Sequence, residues 1–359
     1  MKKINVLVTS VGGIVAHGII KSLNFLNKFS KNKTYYYNIL GTDIVYDSSG
    51  LYRVDKFAII NSPKNEIEFV ESIINLCIKN DIDIIIVGSD IELDAFCKNK
   101  DIIERKTSAK VVTNTSDVIS ICRNKYKTFE FLKEHKLNYI PSCLKKDVES
   151  FLIKNTYPLV VKPCEGFGSK FFSIVKNIAE LNHAVMLIEN YGWTPLIQKY
   201  LKNDDNEFTT GITLDKNGNH IMSSISMKKI LKHGQTYKAL IDNFSEIRTI
   251  SEITAKKIGG IGAINIQLRI DDDDGQAKII EINPRFSASC PMRTVAGINE
   301  PDIVIRNTLF DEEIRIMEYQ SLLCLRYWNE SYIELEKFNN IKSSHDEIKK
   351  GKSFVIDYF

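Results

Sequence analysis

At 359 residues the chain exceeds what one hydrophobic core usually holds, so two or three subdomains are expected. Hydrophobic residues make up 43% and charged residues 26%, and the net charge of +3 is spread over interleaved acids and bases, which argues against a nucleic-acid partner. No run of about 18 apolar residues occurs, which excludes a membrane-spanning helix.

Met1 to Thr9 has a basic start but only a short apolar stretch, followed at once by Gly12-Gly13, and reads as a first strand rather than a signal peptide. The seven cysteines are odd in number, widely spaced and lack a C-x-x-C, so neither a disulfide framework nor a zinc site is expected. A reducing cytoplasm fits best.

The first third alternates strand and helix. Ile4–Thr9 reads as a strand, Ile14–Phe29 as a helix, Tyr36–Thr42 as a strand ending at Asp43, and Phe57–Ile60 as a short strand. Glu66–Lys79 is helical, Asp83–Val87 a buried strand, Ile91–Glu104 a helix, and Lys110–Thr113 closes the unit. This alternation implies an α/β unit with a parallel sheet covered on both faces. Two helices follow, Asp117–Cys122 and Lys125–Lys136, the second stopped before Pro141.

The pattern then changes to α+β. Tyr157–Lys162 is a strand leading into the glycine-containing loop Cys164–Ser169, Phe171–Val175 a strand, and Ile178–Glu189 a helix. Thr194–Leu201, Glu207–Leu214, Asn219–Met227 and Lys238–Asp242 read as antiparallel strands, and Glu246–Ile258 as a helix. Gly262–Ile270 and Ala277–Ile282 form a hairpin across Asp271–Gly275, whose acidic tip is read as a charged turn and not a metal site. The last forty residues hold one apolar strand, Leu322–Tyr327. The expected division is 1–114, 115–192, 193–318 and a C-terminal extension, 319–359, with no internal repeat.

The strongest chemical signal is Asn265-Ile266-Gln267-Leu268, then the hairpin, then Glu281-Ile282-Asn283-Pro284-Arg285. Strand side chains alternate faces, so Glu281 and Asn283 point one way and Ile280 and Ile282 the other. An in-register hairpin brings Gln267 to the same side. One carboxylate and two amides suit Mg²⁺, a hard ion that completes its shell with water and phosphate oxygens. Arg285 follows where it could meet a transferring phosphoryl group. Taken alone, E-x-N is more often the solvent face of an edge strand.

A second signal is Val160-Val161-Lys162-Pro163, a lysine at a strand end, with Gly166, Gly168 and Ser169 in the loop after it. Backbone N–H groups of such a loop can lie over phosphates, although a plain hairpin explains two glycines equally well. Lys170 is either a further phosphate contact or a solvated turn residue. A third is Gln198-Lys199-Tyr200-Leu201 followed by Glu207, where an exposed backbone could meet an adenine edge and Glu207 a ribose hydroxyl.

In order along the chain, the glycine turn, N-K-x-K-T-F-x-F-L, V-V-K-P, Q-K-Y-L, N-I-Q-L and E-I-N-P-R-F resemble the ATP-grasp superfamily, and in particular single-copy enzymes similar to one half of the carbamoyl-phosphate synthetase large subunit. The resemblance runs from Ile4 to about Thr308 and implies a Rossmann-like N-terminal domain followed by an ATP-grasp fold of two α+β subdomains. It implies ATP and Mg²⁺ (with Mn²⁺ as a substitute), a small-molecule carboxylate and an amine as substrates, and C–N ligation with release of ADP. It also allows a homodimer. Lys125 and Lys162 would hold phosphates, Gln267, Glu281 and Asn283 the metal, and Arg285 would assist phosphoryl transfer. Lys228 would face the acyl phosphate, His233 is read as a loop residue, and Ser287 and Arg293 could line the acceptor site. Lys199 stands where an acid is common, leaving adenine to backbone contacts, and Asn124 replaces a frequent Asp.

Two readings from other classes stay open. Gly12-Gly13-Ile14 after a strand, with Asp43 ending the next, could belong to a dinucleotide-binding oxidoreductase or sensor, although G-x-G-x-x-G is not matched. A non-catalytic ATP-binding module is the other.

Overall fold

The computed structural model describes residues 1–30, 34–166, 170–202, 206–232, 235–327, 329–343, 348–350 and 353. Gly168, Ser169 and His233 lie outside the described residues.

The N-terminal unit comprises β1 (Lys2–Val8), α1 (Ile14–Phe29), β2 (Tyr35–Asp43), β3 (Lys56–Ile59), α2 (Glu66–Lys79), β4 (Ile84–Ile86), α3 (Leu93–Lys106) and β5 (Lys110–Val112). The strands form one parallel sheet in the order β3-β2-β1-β4-β5. Strands this buried, such as the all-isoleucine β4, need helices on both faces. The chain leaves β1 toward β2 on one side and β4 on the other, so a crevice opens at the C-terminal ends of β1 and β4.

Two capped helices follow, α4 (Ser116–Arg123) and α5 (Lys125–Glu134). The Asn124 side chain accepts from the N–H groups of Tyr126 and Lys127, at 3.0 Å each, so the asparagine caps α5 as an aspartate would. Helix α5 stops short of Lys136, which adopts φ 54°, a left-handed exit. The chain then runs beside the later hairpin, where Ile279 N–H donates to Asn138 C=O at 2.8 Å.

The small subdomain holds β6 (Ser142–Leu144), α6 (Val148–Lys154), β7 (Leu159–Pro163), β8 (Ser173–Val175), α7 (Ile178–Asn190) and β9 (Pro195–Lys199). Its antiparallel sheet has the order β6-β9-β7-β8. Leu159, Val161 and Ile197 pack beneath Phe151, Leu181 and Ile188 of the two helices.

The large sheet is built from β10 (Glu207–Leu214), β11 (Ile221–Lys232), β12 (Gln235–Ile241), β13 (Gly262–Ile270) and β14 (Ala277–Asn283), with α8 (Ser245–Lys257) inserted before β13. After α9 (Cys290–Val295) and α10 (Glu300–Phe310), β15 (Leu322–Leu325) adds the last strand, giving the antiparallel order β14-β13-β10-β11-β12-β15. The C-terminal apolar strand is therefore an edge of this sheet; α11 (Leu335–Ser343) comes after it. One face buries Phe208, Ile212, Ile264 and Ile266 against Ile247 and Ala255 of α8. The other buries Ile225 and Met227 in a core shared with α1, α9 and α10, which joins the sheet to the N-terminal unit.

Candidate active site

The hairpin register brings the expected oxygen ligands together. Gln267 on β13 lies opposite Glu281 on β14, and Asn265 opposite Asn283. Gln267 Nε2 donates to Glu281 Oε2 at 2.8 Å. The simple alternation fails at one place. The register shifts between Gln267 and Leu268, so Leu268 pairs with Ile279, and Ile280 is the extra residue of a bulge. Ile279 and Ile282, not Ile280, are the core pair.

A row of charges crosses the sheet beside this set. Glu207 on β10 pairs in register with Lys229 on β11 and Arg269 on β13. Its Oε1 meets Lys229 Nζ at 2.8 Å and its Oε2 meets Arg269 Nη2 at 2.7 Å. Burial pushes the Glu207 carboxyl up, but Lys229 and Arg269 outweigh it and hold the group below the usual carboxylate range. Lys229 Nζ also donates to Gln267 Oε1 at 2.5 Å. Lys228 has the opposite orientation on β11 and donates to Asn206 Oδ1 at 3.1 Å. The lysine that faces the oxygen ligands is thus Lys229, and Lys228 is not among them.

The small sheet supplies the other wall. Lys162, on β7, is 8% exposed and donates to Gln198 Oε1 at 2.8 Å, while Gln198 Nε2 donates to Ser142 Oγ at 2.8 Å. Burial first, then the Lys125 charge, lowers the Lys162 ammonium to about 8, with Glu281 acting against them and Arg269 with them. Groups from both sheets therefore act on one cleft. Lys125 opens α5; its N–H donates to Cys164 C=O at 2.8 Å and its Nζ to Gly166 C=O at 3.2 Å. Asn124 Nδ2 adds a bond to Glu165 Oε1 at 3.0 Å, so the start of the helix is tied to the start of the glycine loop. Gly166 takes φ 125°, which a side chain would resist. Lys170 lies over the Phe171, Tyr191 and Trp193 rings.

At the hinge, Lys199 points away from the expected base position. Its ammonium pairs with Asp271 at 2.7 Å and Asp273 at 2.8 Å, and its N–H is spent on Pro141 C=O at 2.9 Å. Lys199 thus answers two of the four hairpin-tip aspartates, and Lys278 pairs with a third, Asp274, at 2.7 Å. Leu201 is buried and its C=O accepts from Arg269 Nη1 at 3.3 Å; Tyr200 is half-buried.

Arg285 is held on two sides. Its Nε and Nη2 form a fork on Asp90, at 2.8 and 2.6 Å, from the loop after β4, and Nη2 also donates to Asn283 Oδ1 at 3.0 Å. Arg293 does not line an open site, contrary to expectation. It is fully buried, its Nη1 bonded to both oxygens of Glu300 at 3.1 Å and its Nη2 to Asn265 Oδ1 at 2.7 Å. It is a strut beneath Asn265, the residue of β13 that pairs with Asn283.

Lys229, Arg269 and Asp90 were not singled out in the sequence. Arg269 stands two residues after Gln267, so the alternation that groups Glu281 with Asn283 could have found it. Lys229 and Asp90 become visible only through pairing across strands and domains.

In the N-terminal crevice, both Asp43 oxygens are engaged, by Gly12 N–H at 2.6 Å and Ile44 N–H at 2.8 Å. The acid that could hold a dinucleotide ribose instead pins the glycine turn. Glu92 is buried there with Thr9 Oγ1 donating at 2.5 Å, and burial pushes its carboxyl up to about 7.

The donor set fits a hard divalent cation. Among the described residues no three His, Cys, Asp or Glu side chains converge. One carboxylate and two amides hold such an ion weakly unless phosphate oxygens complete its shell. The position already attracts a cation, since the Lys229 ammonium sits on Gln267 Oε1.

Residues 122–289 match the family of ATP-grasp domains. The chain carries an ATP-grasp domain, preceded by the parallel-sheet unit. It is 28% identical over 199 residues to the carbamoyl phosphate synthase large chain of Synechocystis, covering 51% of this chain and 18% of that one. Against the Helicobacter pylori large chain the identity is 26% over 212 residues, 53% of this chain and 19% of the other. The chain thus spans under a fifth of the length of these curated relatives. Among solved structures it is similar to the biotin carboxylase domain of Hydrogenobacter thermophilus 2-oxoglutarate carboxylase, a dimer in complex with MgADP, ADP and bicarbonate (TM-score 0.66, 19% identity, 88% of this chain and 71% of that one). It is likewise similar to Staphylococcus aureus N5-carboxyaminoimidazole synthetase (TM-score 0.67, 18% identity, 90% and 81%). At these identities the likeness is one of fold.

Proposed function

We propose that the chain is an ATP- and Mg²⁺-dependent ligase that activates a carboxylate as an acyl phosphate and joins it to an amine or ammonia. The observation that carries this reading is the convergence of Gln267, Glu281 and Asn283, beside Arg285, on a cleft whose opposite wall holds Lys125 and Lys162. A carboxylate is a poor acyl donor because oxide is its leaving group. When its oxygen attacks the γ-phosphorus, ADP leaves; when the amine nitrogen then attacks the acyl carbon, the C–O bond to phosphate breaks.

Gln267, Glu281 and Asn283 would hold Mg²⁺ through oxygen. An ion held there would supply positive charge against the charge that develops during phosphoryl transfer. Lys125 and Lys162 bind phosphate from the facing wall, and Arg285 orients the transferring group. Lys229, not Lys228, is assigned to the acyl-phosphate side.

The test is ADP release from Mg·ATP, screened against amino, hydroxy and sugar acids, each with and without an amine donor. The expected outcome is release that depends on one acid, with a product lighter than the two substrates by one water. Glu281→Gln should lower that rate by about a thousandfold while leaving the circular dichroism unchanged, because it removes the one anionic ligand. A wild-type rate in this variant would sink the site assignment. No nucleotide turnover, together with stoichiometric NAD(H) binding, would move the reading to a dinucleotide protein.

A further inference from the structure

Four basic side chains meet at α1, outside the cleft. His17 and Lys21 are one turn apart on that helix and share a face. Arg53 comes from the 3-10 turn Ser49–Arg53, and Arg326 from the chain just past β15. Gly18, between the two helical residues, lets α1 rest on the backbone that follows the metal strand. A Cβ there would lie 2.9 Å from the Ser287 carbonyl oxygen and 3.2 Å from Ala288 Cα. Arg326 Nη2 donates to Ala288 C=O at 2.7 Å, fixing its guanidinium at the same junction. Ser49 Oγ lies 3.5 Å from His17 Nε2.

These charges lack the compensation found elsewhere in the molecule. Among the described residues, Lys21, Arg53 and Arg326 have no carboxylate within ion-pairing distance. The acid whose charge reaches His17 is Asp43, and its oxygens are taken by backbone N–H groups. Partial burial, then Arg326 and Arg53, hold the Lys21 ammonium below its ordinary range. Burial, then Lys21, does the same to the His17 ring. Like charges crowded together, with Asp43 the one acid whose charge reaches them among the described residues, disfavour the empty site and favour an incoming anion.

We propose that this cluster binds the phosphomonoester group of a substrate. Three permanent cations, two of them planar guanidinium forks, match a dianionic phosphate better than a lone carboxylate, which would leave most of the charge unanswered. The site is joined to the reaction centre by a short stretch of chain. Asn283 and Ala288 are five residues apart, at most about 17 Å even if extended, so one phosphorylated molecule of modest size can reach both. The binding site stands apart from the ligase reading; that its occupant is the substrate of the cleft rests on that reading.

Inorganic phosphate is the probe. It is titrated calorimetrically into the full chain, wild type and Lys21→Ala/Arg53→Ala, with and without saturating Mg·ADP. Both substituted side chains are exposed, so the variant should fold. The expected result is phosphate binding that the double substitution weakens at least about tenfold and that Mg·ADP leaves unchanged. Equal affinity in the two proteins, no binding, or displacement by Mg·ADP would each overturn the site. Acetate or succinate binding as tightly as phosphate would overturn the phosphomonoester assignment. None of these readouts requires turnover, so a failed ADP-release screen and a failed phosphate titration are separate results. Where both succeed, phosphorylated acids or amines should show a KM advantage that the double variant loses with kcat retained.

Discussion

The molecule holds two groups of positive charge, one in the cleft and one around α1, and they are built differently. In the cleft, Lys229 and Arg269 each hold one oxygen of Glu207, and Lys162 is answered by the Gln198 amide. Around α1, Lys21, Arg53 and Arg326 answer to no acid among the described residues. The first group is a framework that fixes the positions of its own members. The second is, among the described residues, a charge surplus that the proposed phosphate would answer. The distinction predicts that removing an acid from the first group is costly, whereas removing a base from the second is not.

Glu207→Gln should show the largest effect on stability. The change is nearly isosteric, yet it leaves Lys229 and Arg269 facing each other in a buried row without a carboxylate. Breaking a buried pair from one side costs about 3–5 kcal/mol, read as a fall in the urea midpoint at constant slope. A loss below about 1 kcal/mol, as at an exposed pair, would mean that the row is not the framework described.

The next effect is on pH dependence. Lys162 titrates near 8 in the fold, well below a free lysine. Below that pH it is charged and ready to meet phosphate. Above it, nucleotide binding has to take up a proton, so Mg·ADP affinity should be flat to pH 8 and then weaken, approaching about tenfold per unit. The sign for folding is the reverse. The folded state releases this proton before the unfolded state does, so the contribution of Lys162 to stability rises between about pH 8 and 10.4. Lys162→Met should abolish the alkaline limb of the binding curve. A parallel limb in both proteins would assign it to another group.

How much of this was legible in the sequence depended on whether a feature is local. The strands β1 and β13 and the helices α1 and α2 came out nearly as expected, because their apolar periodicity is their own. The grouping of Gln267, Glu281 and Asn283 was legible because it needed only alternation and one hairpin. The bulge at Ile280 was not, since it is set by the pairing register rather than by composition. Strand β6 and helix α6, three and seven residues long, passed unnoticed because segments so short carry too few apolar positions to show a period. Arg293 looked like an acceptor-site residue from its position after the metal strand; its partner Glu300, on the next helix, makes it a buried strut. Lys229 and Asp90 act across strands and domains, which no single-chain pattern reveals.

The smallest effect tests the other half of the comparison. Lys21 is exposed, so its repulsion by Arg53 and Arg326 is screened and worth only about 0.5 kcal/mol at low salt. Lys21→Ala should therefore raise stability slightly at low ionic strength, and the gain should shrink as salt is added. Inorganic phosphate should reverse the order, because a bound dianion stabilises the wild type more than the variant by mass action. Urea midpoints of the two proteins, compared in a non-coordinating buffer and then in phosphate, measure that crossing. If the variant is less stable in both buffers, Lys21 is held by contacts of its own, and the surplus of charge around α1 has an internal partner after all.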